Sequence, residues 1–295
     1  EKKQKEESEI KELKLQMFTN ISHEIRTPLT LVMNPLKKMR ETEDNPQQKE
    51  LYNLMYRNTL RILRLVNQLL DMRKVDSGQM QLHFLETDVV YFIKDIMKSF
   101  DNLAVSKNIS FTITPETEVT NLWIDQGNFD KIIFNILSNA FKYTPDNGTV
   151  SIHISKAVQN NGTLAGNIKE YVEFVIENSG SSVDERHLDK LFDRFYQTDV
   201  HDAKVGSGVG LHLAKTLVAL HHGDIRAYNT DSGMAFAIRI PVGCSHLSPE
   251  EMTKPTNHKD LYTKAEEHMN SREDVTHAPS ATKHDAPKQV KSKRN

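Results

Sequence analysis

The chain has 295 residues, 38 Lys and Arg against 40 Asp and Glu, a formal net charge of −2 and one cysteine. So even a balance gives no global pull toward nucleic acid or an anionic membrane, and binding of either kind would have to be local. Cys244 alone cannot form an internal disulfide and fits a reducing compartment, and no uninterrupted apolar run approaches the roughly 18 to 20 residues that cross a bilayer.

The length suits two modest domains, and a first residue Glu1 inside a charged helical stretch, with no secretory leader, reads as the edge of an excised fragment. Ile10, Leu13 and Met17 keep a three-and-four spacing amid Lys and Glu, as a short coiled-coil lead-in would. A helix is predicted from about Ser8 to Met39. Taking 100° per residue from Ile21, the apolar Phe18, Ile25, Pro28, Leu29, Val32 and Leu36 gather in one sector, and His23 falls at about 200°. The imidazole is therefore expected to face solvent, with Glu24 adjacent and Thr27 on the same face: a nucleophile, a base and a hydroxyl together. A lone surface histidine on a helix would carry no meaning.

Glu41 to Pro46 breaks the pattern, and a second helix from about Gln47 to Val75 makes an antiparallel hairpin. Its stripe of Leu51, Leu54, Met55, Ile62, Leu65, Val66, Leu69 and Met72 is broader than one partner helix can cover. A second copy is expected to cover the rest, giving a homodimeric four-helix bundle; the competing arrangement is a monomer whose stripe packs on the next domain. These features define a helical hairpin domain over 1–79, with the boundary near Ser77-Gly78.

Over 80–244 the character changes. Strands are predicted at Ile109 to Ile113, Val150 to Ile154, Tyr171 to Ile176 and Ala235 to Ile240, with helices at about Val89 to Ser106, Gln126 to Tyr143, Asp184 to Leu191 and Gly210 to His221. The alternation implies a two-layer α/β sandwich, with helices on one face of a mixed sheet. On the Gln126 to Tyr143 helix, Ile132, Ile133, Ile136, Leu137 and Ala140 share a face, leaving Asn135, Asn139 and Lys142 on the other at i, i+4 and i+7. Amide oxygens can ligate a hard cation and an ammonium can neutralise phosphate, so that face suits a metal-bound triphosphate; an ordinary solvated helix face is the plain alternative. Gly206-Ser207-Gly208-Val209-Gly210-Leu211 runs into a helix, where backbone amides and the helix dipole favour phosphate. It could be read as a truncated dinucleotide loop, but no strand of the right length leads into it and no GxxxxGK[ST] segment is present.

Residues 245–295 turn polar and proline-rich, as a linker or tail does, and cannot bury enough to fold alone. The five histidines from His246 to His284 are spread too evenly for metal-ligand spacing.

Ser22 to Leu29 resembles the H-box of the bacterial sensor histidine kinases, Ser-His-Glu-x-Arg-Thr-Pro-Leu, at every position. Asn135 to Pro145 closely resembles that family's N-box, Leu191 to Gln197 its F-box, and Gly206 to Leu211 its second glycine box, with Thr198 to Val205 as a short ATP lid carrying His201 and Lys204. The four boxes stand in the family's order over about residues 10 to 244, a far more specific signal than any one of them. The resemblance implies a HisKA dimerisation domain followed by an ATP-binding domain of the GHKL (Bergerat) type. It further implies autophosphorylation of His23 by magnesium-bound ATP, with Glu24 orienting the imidazole and taking its proton, and transfer to an aspartate of a response regulator receiver domain, separate or fused downstream as in hybrid kinases. Thr27 would position water for receiver dephosphorylation. Asn135 and Asn139 would serve magnesium and phosphates, Lys142 a phosphate, Tyr143 the bound nucleotide, and Gly206, Gly208, Gly210 and Leu211 the phosphate loop. A membrane sensor would lie upstream, making the chain the cytoplasmic portion of an inner-membrane receptor.

One box departs from the family. Where Asp-x-Gly-x-Gly is usual, with the aspartate accepting from the adenine amino group, this chain has Asn178-Ser179-Gly180-Ser181-Ser182. The amide oxygen of Asn178 can still accept, without charge assistance, so weaker adenine binding is expected. Ser182 is expected to place a Cβ where glycine conformations are needed and to displace the pocket wall. Two competing functions follow: a dimeric scaffold or phosphotransfer partner with a degenerate ATP domain, and a GHKL ATPase without histidine phosphorylation.

Overall fold

A computed structural model describes residues 24–116, 121–158, 170–180, 182–197 and 208–252. The predicted lead-in, His23, the lid, Gly206 and the tail beyond 252 lie outside these residues. Helix α1 (24–42) is followed by α2 (Pro46–Asp76). Asn45 caps α2: its extended backbone turns the side chain onto the amides of Gln47 and Gln48, while Pro46 takes the first turn, where a missing N–H costs nothing. At the other end Arg73 and Lys74 suit the negative pole of the helix, and Gly78, at φ 70, follows its last turn. The helices are antiparallel: Leu36 packs with Tyr56 and Leu60, and Arg26 Nη2 donates to Asn67 Oδ1 at 2.9 Å. Within the described protomer Leu31, Val32, Met39, Leu51, Leu54, Met55, Ile62 and Leu69 stay exposed, so most of the broad stripe finds no cover from the partner helix.

The second unit begins with β1 (Leu85–Asp88), α3 (Val89–Lys98), α4 (Asp101–Lys107), β2 (Ser110–Pro115), β3 (Asn121–Ile124) and α5 (Gln126–Tyr143). It continues with β4 (Thr149–Val158), β5 (Glu170–Ser179), the short α6 (Glu185–Leu188), a 3₁₀ turn (Asp189–Phe192), α7 (Gly210–Leu220), β6 (Asp224–Asn229) and β7 (Gly233–Pro241). Five strands form a mixed sheet in the order β2-β4-β5-β7-β6, with only β2 and β4 parallel, while β1 and β3 pair separately. In β5 every second residue, Val172, Phe174, Ile176 and Asn178, is buried on the face that meets α5, whereas Glu173, Val175 and Glu177 on the opposite face are half-buried. This is the expected sandwich, with the core between one sheet face and the helices.

Three expectations need correction. The helix over Val89 to Ser106 divides at Ser99 and Phe100, because the bend drives Phe100 into an aromatic cluster, 5.1 Å from both Phe134 and Phe141 between ring centroids. The helix over Asp184 to Leu191 is a four-residue α turn followed by a 3₁₀ turn. Packing also continues past residue 244: Leu247 is buried with Leu82 and Phe84, and the Phe84 amide donates to Glu251 O at 2.8 Å. Leu82 and Phe84 lie just after the hairpin and need apolar cover, which this strap supplies.

Candidate nucleotide site

Helix α5 starts at Asp125, whose Oδ1 caps the Asn128 amide at 2.9 Å while Oδ2 accepts the His83 amide at 2.8 Å. Its inner face, from Phe129 through Ile132, Ile133, Ile136, Leu137 and Ala140 to Phe141, is buried in the core. The same periodicity leaves Asn135 and Asn139 half-buried and Lys142 exposed, along one line. Lys142 Nζ donates to the Tyr143 hydroxyl at 2.8 Å and sits 4.5 Å from that ring's centroid.

At one end of this line stands α7. A Cβ on Gly210 would lie 2.9 Å from Asn135 Oδ1, so glycine is what lets the start of α7 approach the amide. Among the described residues no N-cap side chain bonds the first turn of α7, and amides at a helix start favour an anion. Gly208, at φ +67, is held by the turn around Phe195, whose N–H donates to Gly208 O at 3.0 Å; a Cβ on Gly208 would come within 2.7 Å of the Phe195 backbone. The predicted F-box and glycine box are thus one fastened unit. Leu211 packs at the margin of the core.

At the other end lie Asn178 and Gly180. Asn178 closes the buried face of β5 at 3% exposure, and its Nδ2 donates to Ser179 O at 3.1 Å. That leaves the amide oxygen as an acceptor with no donor among the described residues, the group an adenine amino would need. Gly180, at φ +128, brings the turn so near the end of α5 that an added Cβ would lie 2.7 Å from Tyr143 O. Ser182 does not behave as expected: it is exposed and is not among the non-glycine residues with positive φ, so its Cβ costs no backbone strain.

The predicted residues are thus gathered as an acceptor at the Asn178 end, two amides and an ammonium along α5, and helix-start amides at Gly210. That donor set fits a nucleoside triphosphate. Among the described residues no three His, Cys, Asp or Glu side chains come together as a metal group, so a cation at α5 would depend on amide oxygens and phosphate. Glu24 and Thr27 are exposed on α1.

The hairpin also reaches this site, through polar residues rather than the apolar stripe. Gln68 Nε2 donates to Asn135 Oδ1 at 3.1 Å, Asp71 pairs with Lys131 at 2.7 Å, and Arg194 Nη1 donates to Asp76 Oδ2 at 3.1 Å. Arg194 also donates to His212 Nε2 at 2.9 Å, and His212 Nδ1 in turn bonds Phe192 O at 2.9 Å, tying the F-box to α7. Pairings across so many residues leave no spacing signal.

Comparison with known proteins follows the same division. Residues 13–78 match the His Kinase A (phospho-acceptor) domain, and residues 124–243 match the family described as histidine kinase-, DNA gyrase B-, and HSP90-like ATPase. Histidine kinase P4 of Formosa agariphila is 34% identical over 253 residues, covering 83% of this chain but only 18% of that protein. Among solved structures, full-length ShkA in complex with AMPPNP shares the fold at a TM-score of 0.63 and 22% identity, over 77% of this chain and 46% of that one. Histidine kinase ThkA in complex with response regulator protein TrrA shares it at 0.52 and 22% identity, over 81% of this chain and 66% of that one. With both domains present in this order, the chain belongs to the histidine kinases, as a core of phospho-acceptor hairpin and ATP-binding domain.

Proposed function

We propose that the chain phosphorylates His23 from magnesium-bound ATP and passes the phosphoryl group to an aspartate of a receiver domain, separate or fused downstream. The observation that carries the nucleotide step is the convergence of Asn135, the start of α7 and the buried acceptor Asn178 on one line. Bound magnesium neutralises phosphate charge, and Asn135 and Asn139 would hold it. Lys142 and the α7 amides stabilise the oxygens of the leaving diphosphate, and Asn178 accepts from the adenine amino group. A neutral imidazole nitrogen of His23 attacks the terminal phosphorus. An N–P bond forms as the bridging P–O bond breaks to release ADP, and Glu24 takes the proton from the ring. Positioning and charge neutralisation supply most of the rate.

The exposed α1 and α2 stripe supports a homodimer, and Thr27, four residues after His23, supports receiver phosphatase activity through a positioned water. We place the chain as the cytoplasmic part of a membrane receptor.

Calorimetric titration of the whole chain with magnesium and a non-hydrolysable ATP analogue tests the site. Saturable binding that Asn139→Ala weakens is the expected result. No binding by the wild type at high nucleotide concentration would contradict it and favour a signalling scaffold, the reading that the neutral Asn178 motivates.

A further inference from the structure

Gln68 reaches Asn135 Oδ1, and its Nε2 lies 3.8 Å from where a Cβ on Gly210 would stand, so α2 lies directly against the start of α7. Arg64, Gln68 and Asp71 share one helical face at i, i+4 and i+7, and Asp71 is fastened to Lys131 of α5. That face is therefore the one the catalytic domain covers.

Arg64 is half-buried there, and burial lowers its guanidinium below the ordinary value. It makes no ion pair or hydrogen bond among the described residues, whereas Arg194 has Asp76 and Arg239 has Glu173. A cation withdrawn from water without a counter-charge is costly, and it is best explained by an anion that binds beside it. The neighbouring helix-start amides attract the same ligand.

We propose that Arg64 is a hairpin-borne ligand for the terminal phosphate of a bound nucleoside triphosphate, with Gln68 holding the Asn135 amide in place beside it. The proposal rests on the nucleotide site described above. Its consequence is a contact that a triphosphate makes and a diphosphate does not, so the catalytic domain is drawn onto α2 before transfer and released after it. A guanidinium suits this task because its planar fork can hold two phosphate oxygens.

The test is a pair of titrations of the whole chain, with AMPPNP and with ADP, each with magnesium, for wild type, Arg64→Ala, Arg64→Lys and Gln68→Ala. Arg64→Ala should weaken AMPPNP by roughly tenfold or more, as loss of a charge-assisted bond does, with ADP unchanged and helical circular dichroism retained. Arg64→Lys should recover part of the loss, and Gln68→Ala should weaken AMPPNP more than ADP. Equal losses for both nucleotides, or no change, would overturn the subsite. Tighter binding in the variants would overturn it too, and would make the docked hairpin a competitor of the nucleotide. Wild-type protein that binds neither nucleotide would overturn the nucleotide site itself, and the subsite with it.

Discussion

His221 shows how a fold can fix the charge of one side chain. It is fully buried, its Nε2 accepts the Asp125 amide at 3.2 Å, and its Nδ1 bonds Leu217 O at 2.7 Å, which sets the neutral Nδ1–H tautomer. Burial, the largest influence, lowers its pKa from 6.5, against the opposing pull of the Leu217 carbonyl and Asp125. The unfolded chain therefore binds a proton more readily, and the stability His221 contributes is present above pH 6.5 and lost as pH falls below it. Urea midpoints should drop between about pH 7.5 and pH 5.5 in the wild type and drop less in His221→Phe, which should be less stable at the upper pH because the Asp125 amide loses its acceptor. Gly180 carries a second prediction. Alanine there meets both a φ of +128 and the Tyr143 carbonyl, so Gly180→Ala should cost about 1 kcal/mol or more by thermal unfolding and weaken the ATP analogue. Helical spacing lines up Asn135, Asn139 and Lys142, but only the resemblance to the N-box singled them out from an ordinary solvated face. Asn178 was legible only through the box it resembles, because the predicted strand stopped at Ile176, short of the alternation that carries it to the core face. The ease with which Ser182 is accommodated was not, since backbone dihedrals are set by the turn's surroundings and leave no mark in residue type.

Among the elements, α2 was read within a residue or two at either end because Asn45, Pro46 and Gly78 are local signals with local causes. Asn45→Ala should cost about 1 kcal/mol, seen as a lower denaturant midpoint at unchanged slope. The break between α3 and α4 was missed because apolar periodicity runs through Phe100, and only the aromatic cluster it enters makes the bend favourable. The two-residue alternation of four-residue strands such as β1 and β3 is likewise too brief to register. The strap from Cys244 to Met252 escaped notice because a few apolar residues in a polar stretch look like tail until Leu82 and Phe84 are seen to need cover. Leu247→Ala should destabilise the ATP-binding domain by about 2 kcal/mol, measured by chemical denaturation.

At the scale of the whole molecule, α2 carries both exposed apolar side chains and contacts to the catalytic domain: Leu54 and Leu69 stay exposed, and the proposed dimer would cover them, while Gln68 and Asp71 meet α5 and α7. Placing glutamate at both Leu54 and Leu69 should halve the mass seen by light scattering, because buried charges without partners oppose assembly. Hairpin and ATP-binding domain could each be recognised from sequence while their contact could not: the pairing of Gln68 with Asn135 exists only once both are folded. The central proposal is the phosphorylation of His23, and incubation with γ-labelled ATP and magnesium measures it most directly. Wild type should acquire acid-labile label that maps to His23, and His23→Gln should acquire none; equal acid-labile label on both proteins would contradict the account.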